Sequence, residues 1–122
     1  MPIIQVTIVL KEGEQVPPGL ASQIANAAST ALGSAPGRTW VRLTTLSSDH
    51  YAEDSGGPPD GVFPVFVSVL KSDLQPPESL RHEAERLAGA VAAATGKPLT
   101  NVHIVYEAPA KGRIAFGGDL LP

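Results

Sequence analysis

The feature that most constrains this chain is that it passes twice through one order of segments. Val9-Leu10-Lys11 recurs as Val69-Leu70-Lys71, Pro17-Pro18 as Pro76-Pro77, and Val41-Arg42-Leu43 as Val102-His103-Ile104. Gly56-Gly57 recurs as Gly117-Gly118, each match lying about 60 residues on. In the first pass, Ile3 to Leu10 is rich in β-branched residues and predicts a buried strand. Leu20, Ile24, Ala27, Ala28, Ala31 and Leu32 recur at helical spacing. A helix is therefore expected from Pro18, suited to the first helical position, to Gly33, suited to ending it. Thr39 to Leu46 alternates, with Trp40, Arg42 and Thr44 on one face and Val41, Leu43 and Thr45 on the other. The second pass predicts a strand over Val65 to Leu70, then a helix opened by Pro76-Pro77 and ended by Gly96. Leu80, Ala84, Leu87 and Val91 form its apolar stripe, with Arg81, His82, Glu83, Glu85 and Arg86 on its other side. A strand over Asn101 to Glu107 and a hairpin within Lys111 to Gly118 complete it.

Each pass reads as β-α-β, and parallel strands joined by a helix cross over right-handed. Two such units, spanning 1–57 and 62–118 of a single domain over 1–122, predict an α/β fold with one four-stranded sheet and both helices on one face. The other face is expected to carry Ile, Val and Leu side chains, which predicts an oligomer packed through its sheets. The formal net charge of −3 and the absence of a basic, aromatic-interleaved cluster give no sign of a nucleic-acid partner, and none is expected. With no cysteine there is no disulfide, thiolate metal site or cysteine nucleophile. The start lacks the pattern of a signal peptide, and no apolar run approaches the ~20 residues that cross a bilayer. A cytoplasmic location without a membrane partner is the default expectation.

Chemistry enters at Pro2, directly in front of the first strand. If Met1 is removed, the Pro2 nitrogen becomes a free secondary amine fixed by a strand. An α-amino group has a reference pKa of about 7.7 to 8.0, and burial or nearby cations lower it. That places it in the range of a general base at neutral pH. Pro64, at the start of the third strand, always has an acylated nitrogen and offers no such group.

Met1-Pro2-Ile3-Ile4-Gln5, with Asn101 to Glu107 running into Lys111 to Gly118, resembles 4-oxalocrotonate tautomerase. Two units are fused here, as in larger members of the tautomerase superfamily. Val16-Pro17-Pro18-Gly19-Leu20 and Thr39-Trp40-Val41-Arg42 are also similar to macrophage migration inhibitory factor. The resemblance covers nearly the whole chain. It implies a homotrimer and a cofactor-independent tautomerase or isomerase. Pro2 would move a proton on a small enolisable keto or enol carboxylate. It implies that Arg42, on the strand after the first helix, binds the carboxylate or polarises the carbonyl; His103 stands there in the second half. The family's other arginine position, in the loop after the first strand, has Lys11 in one half and Lys71 in the other. Its hairpin aromatic maps near Ile114 and near Glu53. The same resemblance admits a decarboxylase, or a hydratase or dehalogenase with Glu53 orienting water. A non-catalytic trimeric signalling or scaffold protein is the reading from another class.

The remaining candidates are weaker. Lys11 and Lys71 sit at strand ends and reach a proline amine only from a neighbouring half or subunit. His50 and Tyr51, with Glu53 and Asp54, form a polar cluster open to metal, acid–base or solvated-loop readings. The three histidines lack metal-ligand spacing, so no metal is expected. His103 alternates with Val102 and Ile104, which suggests a structural hydrogen bond on the opposite side of the strand; His82 reads as solvated.

Overall fold

The computed structural model describes residues 2–122. Its main elements in order are β1 (Ile3–Leu10), α1 (Leu20–Leu32), β2 (Trp40–Ser47), β3 (Val65–Leu70), α2 (Pro77–Thr95), β4 (Val102–Tyr106), β5 (Ala115–Phe116) and β6 (Asp119–Leu120). The sheet order is β2-β1-β3-β4. β1 is parallel to β2 and β3 is parallel to β4, while β1 and β3 are antiparallel. Two β-α-β units therefore meet at the centre of one sheet. Their helices lie side by side, and the Arg86 Nε–H of α2 donates to the Ala31 carbonyl of α1 at 3.0 Å.

Strand alternation sets the core. Ile4, Val6 and Ile8 of β1 and Val65, Val67 and Val69 of β3 point toward the helices, which return Leu20, Ile24, Ala28, Leu87 and Val91. Ile24 is fully buried. Ile24→Ala is expected to cost about 2–5 kcal/mol, seen as a lower urea midpoint at unchanged slope.

The opposite face differs from the sequence expectation. Ile3, Trp40, Leu70, Phe66 and Val105 flank a polar middle made by Gln5, Thr7, Arg42, Thr44 and Ser68. Gln5 and Thr7 interrupt the apolar run of β1 at every second residue, so the polar groups share the unpacked face. Gln5 Nε2 donates to Thr44 Oγ1 at 3.1 Å, and the Thr7 and Thr44 hydroxyls are 3.0 Å apart.

Three local expectations also shift. Pro18 does not start α1. Pro17 to Leu20 forms a turn with Gly19 at φ 80°, ψ 4°, the third position of a type II turn, and the helix follows it. In α2, by contrast, Pro77 opens the helix. The hairpin lies later than Lys111 to Gly118: Gly117 and Gly118, both at positive φ, form its two-residue turn, so the return strand is Asp119–Leu120. Glu83 is buried rather than on the polar side of α2. It lies four and eight residues before Leu87 and Val91, on the same stripe. Lys71 Nζ donates to its Oε1 at 2.7 Å and the Tyr106 hydroxyl to its Oε2 at 2.8 Å. Among the described residues no helix is long and apolar enough to cross a membrane.

Candidate active site

Because β1 and β2 are parallel, both begin at one end of the sheet, and β3 ends there: Ile3 pairs with Trp40 on one side and Leu70 on the other. Pro2 is buried at this end, and its carbonyl accepts the Trp40 backbone N–H at 3.0 Å. The segment after β4 is tied to the same end, since the Ala110 N–H donates to the Lys71 carbonyl at 2.8 Å and the Lys111 N–H to Ser72 at 3.2 Å. These bonds bring the β5–β6 hairpin over the start of β2. Phe116 meets Trp40 edge to face, with ring centroids 5.7 Å apart and planes at 89°. The Trp40 indole N–H donates to the Gly37 carbonyl at 3.1 Å, which fixes the ring. Arg38, Trp40, Phe116 and Leu121 line a cavity of about 340 Å³.

The sequence candidates divide between the two ends of the sheet. Arg42 pairs with Gln5 on the unpacked face, two residues along β2 from Trp40, and its Nε–H donates to Gln5 Oε1 at 2.9 Å. Lys71 is held in the buried pair with Glu83. Ile114 is half-buried and its carbonyl accepts the Leu121 N–H at 2.8 Å, while the hairpin residue on the cavity is Phe116. At the other end, where β1 finishes and β3 begins, Tyr51 packs beside Phe63 and Phe66. Its hydroxyl donates to Glu53 at 2.6 Å, and that hydrogen bond, with burial and the carboxylate charge, raises the phenol pKa. His50 is exposed in the turn after β2. His103 faces away from Val102 and Ile104 as expected; among the described residues its contact is the Phe66 ring at 5.8 Å rather than a hydrogen bond.

Lys11 borders a separate cavity of about 230 Å³ with Glu14, Val62, Phe63 and Lys97. Burial there raises the Glu14 pKa, but the Lys97 hydrogen bond, the Lys11 backbone N–H and both lysine charges outweigh it and hold the carboxyl below its ordinary value. Among the described residues no three metal-ligating side chains converge.

Sequence reasoning missed Arg38 and the cavity roles of Trp40, Phe116 and Leu121. The available signal was the parallel register: a residue just before β2 must lie near the residue just before β1.

No family model and no curated protein sequence matches the chain. Its fold is the tautomerase fold in the fused two-unit form. The fused 4-OT wild-type symmetric trimer matches with a TM-score of 0.76 and 16% identity, over 98% of this chain and 94% of the other. Pt0534 inactivated by 2-oxo-3-pentynoate matches at 0.73 and 16%, over 98% and 94%. Macrophage migration inhibitory factor from Trichinella spiralis matches at 0.70 and 16%, over 97% and 98%. At these identities the likeness is one of fold.

Proposed function

We propose that this chain is a cofactor-independent tautomerase or isomerase of the superfamily whose fold it shares. Its mature chain begins at Pro2, and the free amine moves a proton on a small enolisable carboxylate. The carrying observation is the burial of Pro2 at the head of β1, with its carbonyl pinned by Trp40, a wall of the Arg38 cavity. In its neutral form the amine accepts a proton from the oxygen or carbon end of the enol. The resulting ammonium returns a proton to the other end. A guanidinium at the approach to or along β2, Arg38 or Arg42, holds the carboxylate and so fixes which atom faces the amine. Within one chain Glu53 lies at the far end of the sheet, bonded to Tyr51, which favours proton transfer over water addition at Pro2.

The active form is a homotrimer. Exposed Phe66 and Val105 beside the polar sheet face support an interface there, as does the fold shared with a fused 4-OT trimer. Sedimentation is expected to give about three times the 12.6 kDa chain mass. A stable monomer at micromolar concentration removes this part of the reading.

The activity test is ketonisation of phenylenolpyruvate and of 2-hydroxymuconate, followed by absorbance across pH. The rate is expected to rise with pH through one ionisation at or below about 7.7 to 8.0, as the amine loses its proton. An intact trimer that turns over neither compound would favour the scaffold reading.

A further inference from the structure

The structure contains five arginines, and four have protein partners: Arg42 with Gln5, Arg81 with Glu78, Arg86 with the Ala31 carbonyl, and Arg113 with the Ala108 and Pro109 carbonyls. Among the described residues the Arg38 backbone N–H donates to the Ala35 carbonyl at 3.2 Å, but its guanidinium makes neither a hydrogen bond nor an ion pair. It lines the cavity whose other walls are Trp40, Phe116 and Leu121, and none of the four is acidic. A guanidinium presents a planar fork of donors suited to a carboxylate. The indole is held by its hydrogen bond to Gly37 and meets the Phe116 ring edge to face, so the apolar part of the cavity is a corner made by two touching rings. Its volume, about 340 Å³, is that of a small-ligand site.

From this geometry we infer that Arg38, rather than Arg42, is the carboxylate-binding and specificity-determining residue of this chain. The ligand class is a monocarboxylate bearing a flat apolar group, which lies against the corner formed by Trp40 and Phe116 while its carboxylate meets Arg38. A second carboxylate placed in this corner would face the Trp40 and Phe116 rings and Leu121, and the indole N–H is already given to Gly37, so dicarboxylates are disfavoured. Arg42 is already oriented by Gln5 on the open sheet face. The identification of the ligand as a substrate rests on the tautomerase reading; the binding itself does not.

Trp40 is the chain's single tryptophan, so its emission reports on this cavity without any need for turnover. The full chain is titrated with trans-cinnamate, with cinnamamide and with fumarate, and affinities are checked by calorimetry. Cinnamate is expected to saturate the Trp40 signal and to bind about 10- to 100-fold more tightly than cinnamamide, the worth of one charge-assisted contact. Fumarate is expected to bind more weakly than cinnamate. Arg38→Gln should bind cinnamate and cinnamamide alike, Arg38→Lys should restore part of the difference, and Arg42→Gln should keep it. Circular dichroism of each variant establishes that the fold is retained. Equal binding of cinnamate and cinnamamide by the parent chain, no saturable binding of either, or loss of the preference in Arg42→Gln but not in Arg38→Gln overturns the inference. If the preference behaves as expected while no enol acid is turned over, the inference stands and the tautomerase reading falls.

Discussion

A chain that keeps Met1 is expected to lose at least about 10² in kcat/KM for enol ketonisation, the usual worth of a positioned base. The nitrogen of Pro2 is then an amide and has no basic lone pair. Pro2→Ala, with Met1 removed, keeps a terminal amine but loses the ring that fixes it, and a fall of similar size is expected. Neither change disturbs the carbonyl that accepts the Trp40 N–H, nor the pairing of Ile3 with Trp40 and Leu70. The folded assembly should therefore survive, and thermal melts should distinguish loss of the base from loss of the fold. Full activity in a chain verified by mass to retain Met1 excludes the amine as base.

Glu83→Ala is expected to destabilise the fold by about 3–5 kcal/mol. Glu83 is 2% exposed and receives both Lys71 and Tyr106, groups from β3's end and from β4. Removing it strands the Lys71 ammonium, 17% exposed at the side chain, without its counter-ion. Urea unfolding measures the loss. The triple variant Lys71→Met, Glu83→Leu, Tyr106→Phe removes all three polar partners together and should recover most of the stability. The network also gives an alkaline signature. Burial, then the Glu83 hydrogen bond and charge, push the Tyr106 phenol well above its ordinary value. In the unfolded chain the phenol ionises near pH 10, so there the unfolded state binds fewer protons than the folded one. Stability from this group is complete below that pH and declines above it. Tyr106→Phe should flatten the decline.

The strands were the most legible part of the sequence because burial enforces alternation. β1 and β3 have the predicted bounds, Ile3–Leu10 and Val65–Leu70, since each is a stretch rich in β-branched residues closed by a polar loop. Local chemistry was less decisive. Pro17-Pro18 and Pro76-Pro77 look equivalent, yet Gly19 turns the first pair into a type II turn while the second leads straight into α2. Glu83 shows how a charge can hide on an apolar stripe: its partners come from residues 12 positions before and 23 positions after it. No periodicity argument reaches that far. Gln5 and Thr7 were visible as polar residues, but their effect on the open face needed the register that sets them against Arg42, Thr44 and Ser68. Arg38 was overlooked for the same reason. It belongs to no periodic segment, and only the parallel pairing of β1 with β2, together with the return of the hairpin to that end, places it beside Trp40 and Phe116.

The central claim, that the Pro2 amine is the reactive group, is tested most directly by covalent labelling. 2-Oxo-3-pentynoate, the compound that inactivates Pt0534, carries an alkyne conjugated to a ketone and accepts an amine by conjugate addition. The nitrogen lone pair forms the new C–N bond at the alkyne, and the proton released from nitrogen returns to the adjacent carbon. The expected result is one adduct per chain, mapped by fragmentation to the Pro2 nitrogen, with activity lost in proportion. The label should be absent from a chain that retains Met1. Proportional inactivation with the adduct on Lys11, Lys97, Lys111 or any residue other than Pro2 would contradict the account.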